Sequence, residues 1–120
     1  MLFRSQTDIV SLAYLGNGIA LAGTAGDGKI LRSTDYGATW KDLGQQFAQT
    51  NILSLAYLGN GIALAGTYPA GKILRSTDYG ATWADLGQRF AQTYILSLAY
   101  LGNGTALAGT YPDGKILRST

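Results

Sequence analysis

The chain of 120 residues contains no cysteine and no histidine. Without these residues it can form no disulfide, no thiolate nucleophile, and no zinc or haem site of the common kinds. It also lacks the side chain that most often serves as a general base near neutral pH. We therefore expect neither a metal nor a cofactor.

Charge is scarce as well, because charged residues make up 13% of the chain, about half of the usual quarter. The net charge is +2, and the basic residues do not form the stripe that nucleic-acid binding needs. No apolar run reaches the length of a membrane span, and residues 1–6 lack the apolar core of a signal peptide. The sequence predicts a soluble protein without a nucleic-acid or membrane partner, and it leaves the compartment open.

A unit of 43 residues recurs almost three times. Residues 11–53 and 54–96 match at 37 of 43 positions, and residues 97–120 differ from 54–77 at only two. Identity this high is typical of recent amplification or of design. We interpret residues 1–120 as one domain built from these three units, of which the third is incomplete. Residues 1–10 align with residues 44–53.

Each unit reads as four strands rather than as a helix, because glycines recur every few residues and glycine destabilises a helix. In the second unit Gly59-Asn60-Gly61 predicts a hairpin turn, and Tyr68-Pro69-Ala70-Gly71 predicts a second turn. The strands predicted on either side span residues 52–58, 62–67, 72–76 and 83–86. The segment 45–49 has some helical propensity but is short, and we expect it to link one sheet to the next. The fold class is therefore all-β, with four-stranded antiparallel meanders.

A sheet with apolar residues on both faces has to be covered on both faces. Small residues at Ala56, Ala63, Ala65 and Gly66 suit close packing of one sheet on another. Four-stranded units of 40 to 50 residues solve this problem by stacking around an axis, as the blades of a β-propeller do.

The loop after the third strand carries the pattern S-x-D-x-G-x-T-W twice. This pattern resembles the Asp box, or BNR repeat, of sialidase-type propellers, sortilin-type receptors and photosystem assembly propellers. The resemblance implies propeller blades and a structural loop. Its residues are Ser33, Asp35, Gly37, Thr39 and Trp40 in the first unit, and Ser76, Asp78, Gly80, Thr82 and Trp83 in the second.

The chemistry of the loop agrees with a structural role. Asp35 can accept backbone N–H groups across the loop, Gly37 permits a backbone conformation closed to other residues, and Trp40 can cover the sheet edge. A ligand or metal site at Asp35 and Asp78 is the alternative. We favour the structural reading because the box usually lies away from the active site in the family that it resembles.

Catalysis is not expected. Sialidases, which the repeat resembles, need an arginine triad, a Tyr/Glu pair and an acidic proton donor, whereas this chain has no glutamate. Arg32, Arg75 and Arg118 occupy one equivalent strand position, so a closed ring could present them together. The simpler interpretation is that they are solvated arginines on an outer strand. A sialidase-like hydrolase is therefore the least favoured function.

A binding module is a second hypothesis. Tyr68, Tyr111, Asp27 and Asp113 lie in equivalent turns between the second and third strands. Such turns, repeated around a ring, could bind a glycan weakly but multivalently. Ordinary turn chemistry is the competing interpretation.

The third and favoured hypothesis is a self-assembling scaffold. Three blades form an arc whose two ends would expose apolar sheet faces, and closed symmetry removes such faces. We predict a homodimer with six blades, with a homotrimer of nine as the alternative. The segment Leu2–Ser5 of one chain is predicted to fill the outer edge of the third blade of the next chain.

Overall fold

The computed structural model of the chain describes residues 8–88 and 92–119. These residues form three antiparallel sheets, one for each repeat, and in each sheet the strands lie in sequence order. None of the elements in these two ranges is a helix, so no helix there could cross a membrane. Sheet 1 contains β1 (Ile9–Gly16), β2 (Ile19–Thr24), β3 (Lys29–Ser33) and β4 (Lys41–Gln45); sheet 2 contains β5 (Asn51–Gly59), β6 (Ile62–Tyr68), β7 (Lys72–Ser76) and β8 (Ala84–Gln88); sheet 3 contains β9 (Tyr94–Gly102), β10 (Thr105–Tyr111) and β11 (Ile116–Ser119).

The predicted hairpin turns are confirmed. Asn60 and Gly61 both have positive φ, 54° and 79°, as a two-residue hairpin turn with the twist of the strands requires. The fourth strand of the unit begins at Ala84 rather than at the predicted position 83, because Trp83 belongs to the preceding loop, to which its indole is hydrogen-bonded. The segment predicted to be a linker joins β4 to β5.

Each sheet has two apolar faces, which we define by their neighbours. The forward face of a sheet is the one equivalent to the face of sheet 1 that packs on sheet 2, and the rear face is the opposite one. Residues paired across strands share a face, so Leu21 lies on the forward face with Ala13 and Arg32. The core cluster lies between the forward face of sheet 1 and the rear face of sheet 2, and its buried members are Leu15, Leu21, Ile30, Ile52, Ala63, Ala65 and Leu74.

An isoleucine and a glycine form a close contact at each junction between sheets. A Cβ added to Gly23 of sheet 1 would lie 2.7 Å from Cγ2 of Ile52 in sheet 2. At the next junction a Cβ added to Gly66 would lie 2.5 Å from Cγ2 of Ile95. Each position must therefore be glycine, since any side chain there would occupy the space that the isoleucine fills.

A serine hydrogen bond accompanies each of these contacts. The Ser11 hydroxyl donates to the carbonyl oxygen of Ile52 over 3.0 Å. The Ser54 hydroxyl makes the equivalent bond to Ile95 over 3.3 Å. The two junctions are thus built in the same way, which follows from the near-identity of the repeats.

Candidate interaction surfaces

The two loops that carry the S-x-D-x-G-x-T-W pattern close through the same hydrogen bonds. Asp35 accepts the backbone N–H of Thr39 over 2.9 Å, the Thr39 hydroxyl over 2.5 Å and the Ser33 hydroxyl over 2.8 Å. The Trp40 indole donates to the Gly37 carbonyl over 3.0 Å. Gly37 has a φ of 85°, which explains the glycine. The carboxylate is thus occupied by its own loop.

The second loop repeats this arrangement with Asp78 as the acceptor, from Thr82 and from the Ser76 hydroxyl. The Trp83 indole donates to the Gly80 carbonyl over 2.9 Å. Both loops therefore satisfy their polar groups internally. Within the described ranges no group of acidic residues is arranged to hold a metal ion.

These hydrogen bonds stabilise the ionised carboxylates. The Thr39 hydroxyl, the Thr39 amide and the Ser33 hydroxyl lower the pKa of Asp35 to about 2. Partial burial acts in the opposite direction on Asp78, but its hydrogen bonds from Thr82 and Ser76 outweigh it and leave the pKa below its ordinary value. A carboxyl group with a lowered pKa is a poor proton donor near neutral pH.

The Asp78 loop also packs on the preceding sheet. Its glycine, Gly80, lies so close to Leu21 of sheet 1 that an added Cβ would meet the Leu21 side chain at 2.6 Å. The Arg32 guanidinium donates from Nε to the Tyr79 carbonyl over 2.9 Å. The interpretation of Arg32 as a solvated arginine holds in part: its contact with the Asp78 loop of sheet 2 is exposed to solvent, while the residue as a whole is half-buried. Arg75 and Arg118 are exposed, as that interpretation expected.

The outer side of the Asp35 loop adjoins an open cavity of about 230 Å³. Arg32, Thr34, Thr39, Trp40 and Lys41 line it. Two cations and two hydroxyl groups make the lining polar. No candidate residue from the turns between the second and third strands reaches this cavity.

The rear face of sheet 1 exposes residues that the middle sheet buries. Ile9 is 46% exposed, whereas its equivalents Ile52 and Ile95 are both 0% exposed. Leu12, also on the rear face, is 69% exposed, and its equivalent Leu55 is half-buried. The rear face of sheet 1 is thus equivalent to the face of sheet 2 that packs against sheet 1, but it is uncovered.

The forward face of sheet 3 is open in the same sense. Ile116 is 79% exposed, whereas its equivalent Ile30 is 0% exposed. A Cβ added to Gly109 would meet only the Ser97 hydroxyl, with no isoleucine within 4 Å. We call the space over Gly109 and Ser97 the Gly109 socket. Two surfaces that are complementary inside the molecule are therefore presented outward at its two ends.

The four turn residues predicted as ligand contacts do not form one site. Asp27 accepts a hydrogen bond from the Thr24 hydroxyl over 2.5 Å and lies 3.9 Å from the Lys29 ammonium. In sheet 3, Asp113 accepts from the side-chain amide of Gln92 over 3.1 Å. These contacts lie within the turns or between a turn and the adjacent linker, as ordinary turn chemistry expects.

Tyr68 and Tyr111, by contrast, are brought together by a third tyrosine. Tyr94 stacks on Tyr68 with ring centroids 4.2 Å apart and meets Tyr111 edge-on at 4.9 Å. The hydrogen bond to Tyr68 raises the pKa of Tyr94. We call these three residues the tyrosine cluster.

Sequence reasoning did not predict Tyr94 as part of this cluster, although a signal existed. Position 94 is tyrosine where the first repeat has Asn51, and position 68 is tyrosine where the first repeat has Ala25. In the first junction the side-chain amide oxygen of Asn51 accepts the Gly26 N–H over 2.9 Å. The two differences therefore lie on either side of one junction, where a stacked pair of rings replaces a hydrogen bond.

Comparison with solved structures identifies the fold. The chain superposes on a structure described as YCF48 bound to D1 peptide with a TM-score of 0.79, at 20% identity over 98% of this chain. These sheets are β-propeller blades. A structure of YCF48 from Cyanidioschyzon merolae gives a TM-score of 0.78, also at 20% identity over 98% of this chain. No family model and no curated protein sequence matches the chain.

The three blades correspond to a minor part of those two proteins. The chain spans 39% of the YCF48 chain solved with the D1 peptide and 35% of the chain from Cyanidioschyzon merolae. Within the chain, each junction between blades is a forward face against a rear face.

Proposed function

We propose that this chain is a non-catalytic propeller scaffold whose blades self-assemble through their end faces. The observation that carries this proposal is that both end blades expose residues whose equivalents are covered at the internal junctions. Ile9 is exposed whereas Ile52 and Ile95 are fully buried, and Ile116 is exposed whereas Ile30 is fully buried and Ile73 is half-buried. Exposed apolar surface of this kind marks a protein interface. The Asp35 and Asp78 loops are Asp boxes in this interpretation and stiffen the first and second blades.

The lack of catalytic chemistry supports the scaffold interpretation. The chain has neither glutamate nor histidine, and the boxed aspartates are held ionised by their own loops. The Nε of Arg32 is engaged in a junction between blades, where it donates to the Tyr79 carbonyl. Each of these facts weighs against a sialidase-like hydrolase.

Assembly of two chains would give a ring of six blades, and assembly of three chains would give nine. We favour the homodimer, with the homotrimer as the alternative. Native mass spectrometry of the 120-residue chain distinguishes the two, because each chain contributes 12.6 kDa. A species with the mass of one chain at micromolar concentration would refute self-assembly.

The clasp formed by Leu2–Ser5 remains part of this proposal, although these residues lie outside the described ranges. Deleting residues 1–6 should lower the midpoint of thermal unfolding of the assembly and shift its mass towards the single chain. If both quantities stay unchanged, the clasp is wrong while self-assembly stands.

A glycan-binding propeller is the second candidate, and the tyrosine cluster favours it. Tyr94 and Tyr111 meet at nearly a right angle, 86°, and the exposed Asp113 lies beside them at the same turn. A flat aromatic surface beside a carboxylate suits a sugar ring, whose C–H groups pack on the ring while its hydroxyls donate to the acid.

A glycan array probed with the assembled protein tests this candidate, since weak sites need several copies to give a signal. Tyr111→Ala is the test variant because Tyr111 is the most exposed of the three rings. Tyr100→Ala, at an exposed tyrosine that lies outside the two end faces, is the matched control. Binding by the wild type and the control but not by Tyr111→Ala would support the candidate, and the absence of binding by all three would refute it.

A further inference from the structure

We propose that the chains join head to tail, with the forward face of sheet 3 of one chain binding the rear face of sheet 1 of a second copy. This inference rests on the proposed self-assembly and adds its polarity and its contacts. The occupant of each open face is thus the opposite face of an identical chain. The contacts follow from the two junctions that already exist inside the molecule.

The first contact places Ile9 of the second copy in the Gly109 socket. Gly23 and Gly66 receive the side chains of Ile52 and Ile95 in this way, and Ile9 lies 43 residues before Ile52. The socket has a glycine in the required place and no isoleucine within 4 Å.

A hydrogen bond should accompany this contact. Ser11 and Ser54 donate to the carbonyl oxygen of the isoleucine in the next blade. Ser97 occupies the equivalent position in sheet 3 and is exposed. Its hydroxyl should therefore donate to the carbonyl oxygen of Ile9 in the second copy, so that the socket gains both an apolar and a polar contact.

The second contact places the Asp35 loop of the second copy over the forward face of sheet 3. Inside the molecule the Asp78 loop covers Leu21 and accepts the Arg32 guanidinium at the Tyr79 carbonyl. The equivalents in sheet 3 are Leu107, which is half-buried, and Arg118, which is exposed.

The loop that would supply the partner groups is itself uncovered. Apart from Trp40 of the same loop, no atom lies within 4 Å of a Cβ added to Gly37. The neighbouring Tyr36 is 79% exposed, whereas its equivalent Tyr79 is 36% exposed. Arg118 should therefore donate to the Tyr36 carbonyl of the second copy.

A symmetric contact between two identical faces would lack this fit. A rear face on a rear face would set Ile9 against Ile9 with no glycine to receive either side chain. A forward face on a forward face would set one Gly109 socket against another and leave both empty. Only the heterologous pairing reproduces the packing that the chain shows twice, and heterologous pairing closes into a ring when its rotation permits.

Two charge substitutions separate these possibilities. Ile9→Asp disables the rear face, and Ile116→Asp disables the forward face. Both residues are largely or half exposed in the single chain, so both variants should fold, which far-UV circular dichroism verifies. Ala84→Asp, at an exposed outer-strand position of the middle blade, is the control for added charge.

If the chains pair head to tail, each variant alone should remain a single chain of 12.6 kDa, because every contact needs one intact forward face and one intact rear face. An equimolar mixture of the two variants should contain a dimer with one copy of each, while the control assembles as the wild type does. If one variant alone still self-associates, the contact is symmetric and the polarity is wrong, although the scaffold proposal stands. If the wild type is itself a single chain, the scaffold proposal fails.

Cysteine pairing provides a second readout that does not depend on the strength of the contact. The chain has no cysteine, so Ile9→Cys and Ser97→Cys, at two residues that the proposal brings together, introduce the only thiols and leave the glycine of the socket in place. With oxidised glutathione as the oxidant, the mixture should form a covalent dimer containing both variants. Preferential dimers within either variant alone would overturn the head-to-tail arrangement.

Discussion

Replacing one isoleucine at a time in the three repeats should produce two different losses of stability from one chemical change. Ile52 and Ile95 are completely buried at the two junctions, whereas Ile9 is 46% exposed. Isoleucine-to-alanine substitution at a fully buried site costs about 2–5 kcal/mol, through the lost transfer free energy and the cavity that remains. We expect a loss near the middle of that range at Ile52, because Gly23 has no side chain that could move into the cavity.

At Ile9 about half of the side chain is already in water, so Ile9→Ala should cost roughly 1 kcal/mol or less in the single chain. For a chain of this size each kcal/mol lowers the midpoint of thermal unfolding by about 4 °C. Ile52→Ala and Ile95→Ala should therefore lower the midpoint by roughly 14 °C, and Ile9→Ala by about 4 °C or less.

Urea unfolding monitored by tryptophan fluorescence and circular dichroism measures these losses. It should be carried out at a protein concentration where the mass is that of one chain, since association adds stability by mass action. At higher concentration Ile9→Ala should lose the additional, concentration-dependent stability. Equal losses at all three positions, or a loss at Ile52 below about 1 kcal/mol, would refute the assignment of the junctions.

Three other outcomes follow from the described contacts. Titration of the Asp35 carboxyl by NMR should give a pKa near 2. Because this folded-state pKa lies below the unfolded value of about 3.9, the ionised carboxylate stabilises the fold fully above about pH 4, and this stabilisation is lost as the pH falls towards 2. A titration midpoint near 4 would contradict the loop geometry. Gln49→Ala should cost about 1–3 kcal/mol in urea unfolding because it removes the acceptor of the Ala70 N–H and one of the two acceptors near the buried Thr67 hydroxyl, and a neutral result would contradict it. Tyr94→Asn should cost about 0.5–1.5 kcal/mol, because the stack on Tyr68 is lost, and an unchanged denaturation midpoint would show that the stack does not contribute.

Much of the blade was predictable from sequence because its signals are local. The Asn60-Gly61 turn requires two positive φ values that few residues tolerate. The Asp35 loop closes within residues 35–40 through hydrogen bonds to its own backbone. Because the units are nearly identical, each local prediction also applied to the other units.

The junctions were less predictable because their contacts join positions about 40 residues apart. The Arg32 guanidinium reaches the Tyr79 carbonyl 47 residues away, and nothing in the local pattern around Arg32 indicates this partner. Tyr94 was missed for the same reason, since its partner Tyr68 lies in the preceding blade. The periodicity of the sequence predicted which residues of a strand share a face, but it did not predict which loop covers that face.

The isoleucine–glycine contacts of the junctions do not vary between repeats, whereas the residues of the tyrosine cluster do. The isoleucine, glycine and serine of the junction are the same in every repeat in which they occur, including Ile9, Ser97 and Gly109 at the open ends. Four of the six differences between the first two repeats instead lie at the turn and strand start that form the cluster, at positions 25–27 and 51 of the first repeat. A residue that must fit an identical neighbour cannot vary without losing that fit, whereas a residue on the outer edge of a junction can. The blade faces are therefore the place to test assembly, and the turns around Tyr68 and Tyr111 are the place to test ligand specificity.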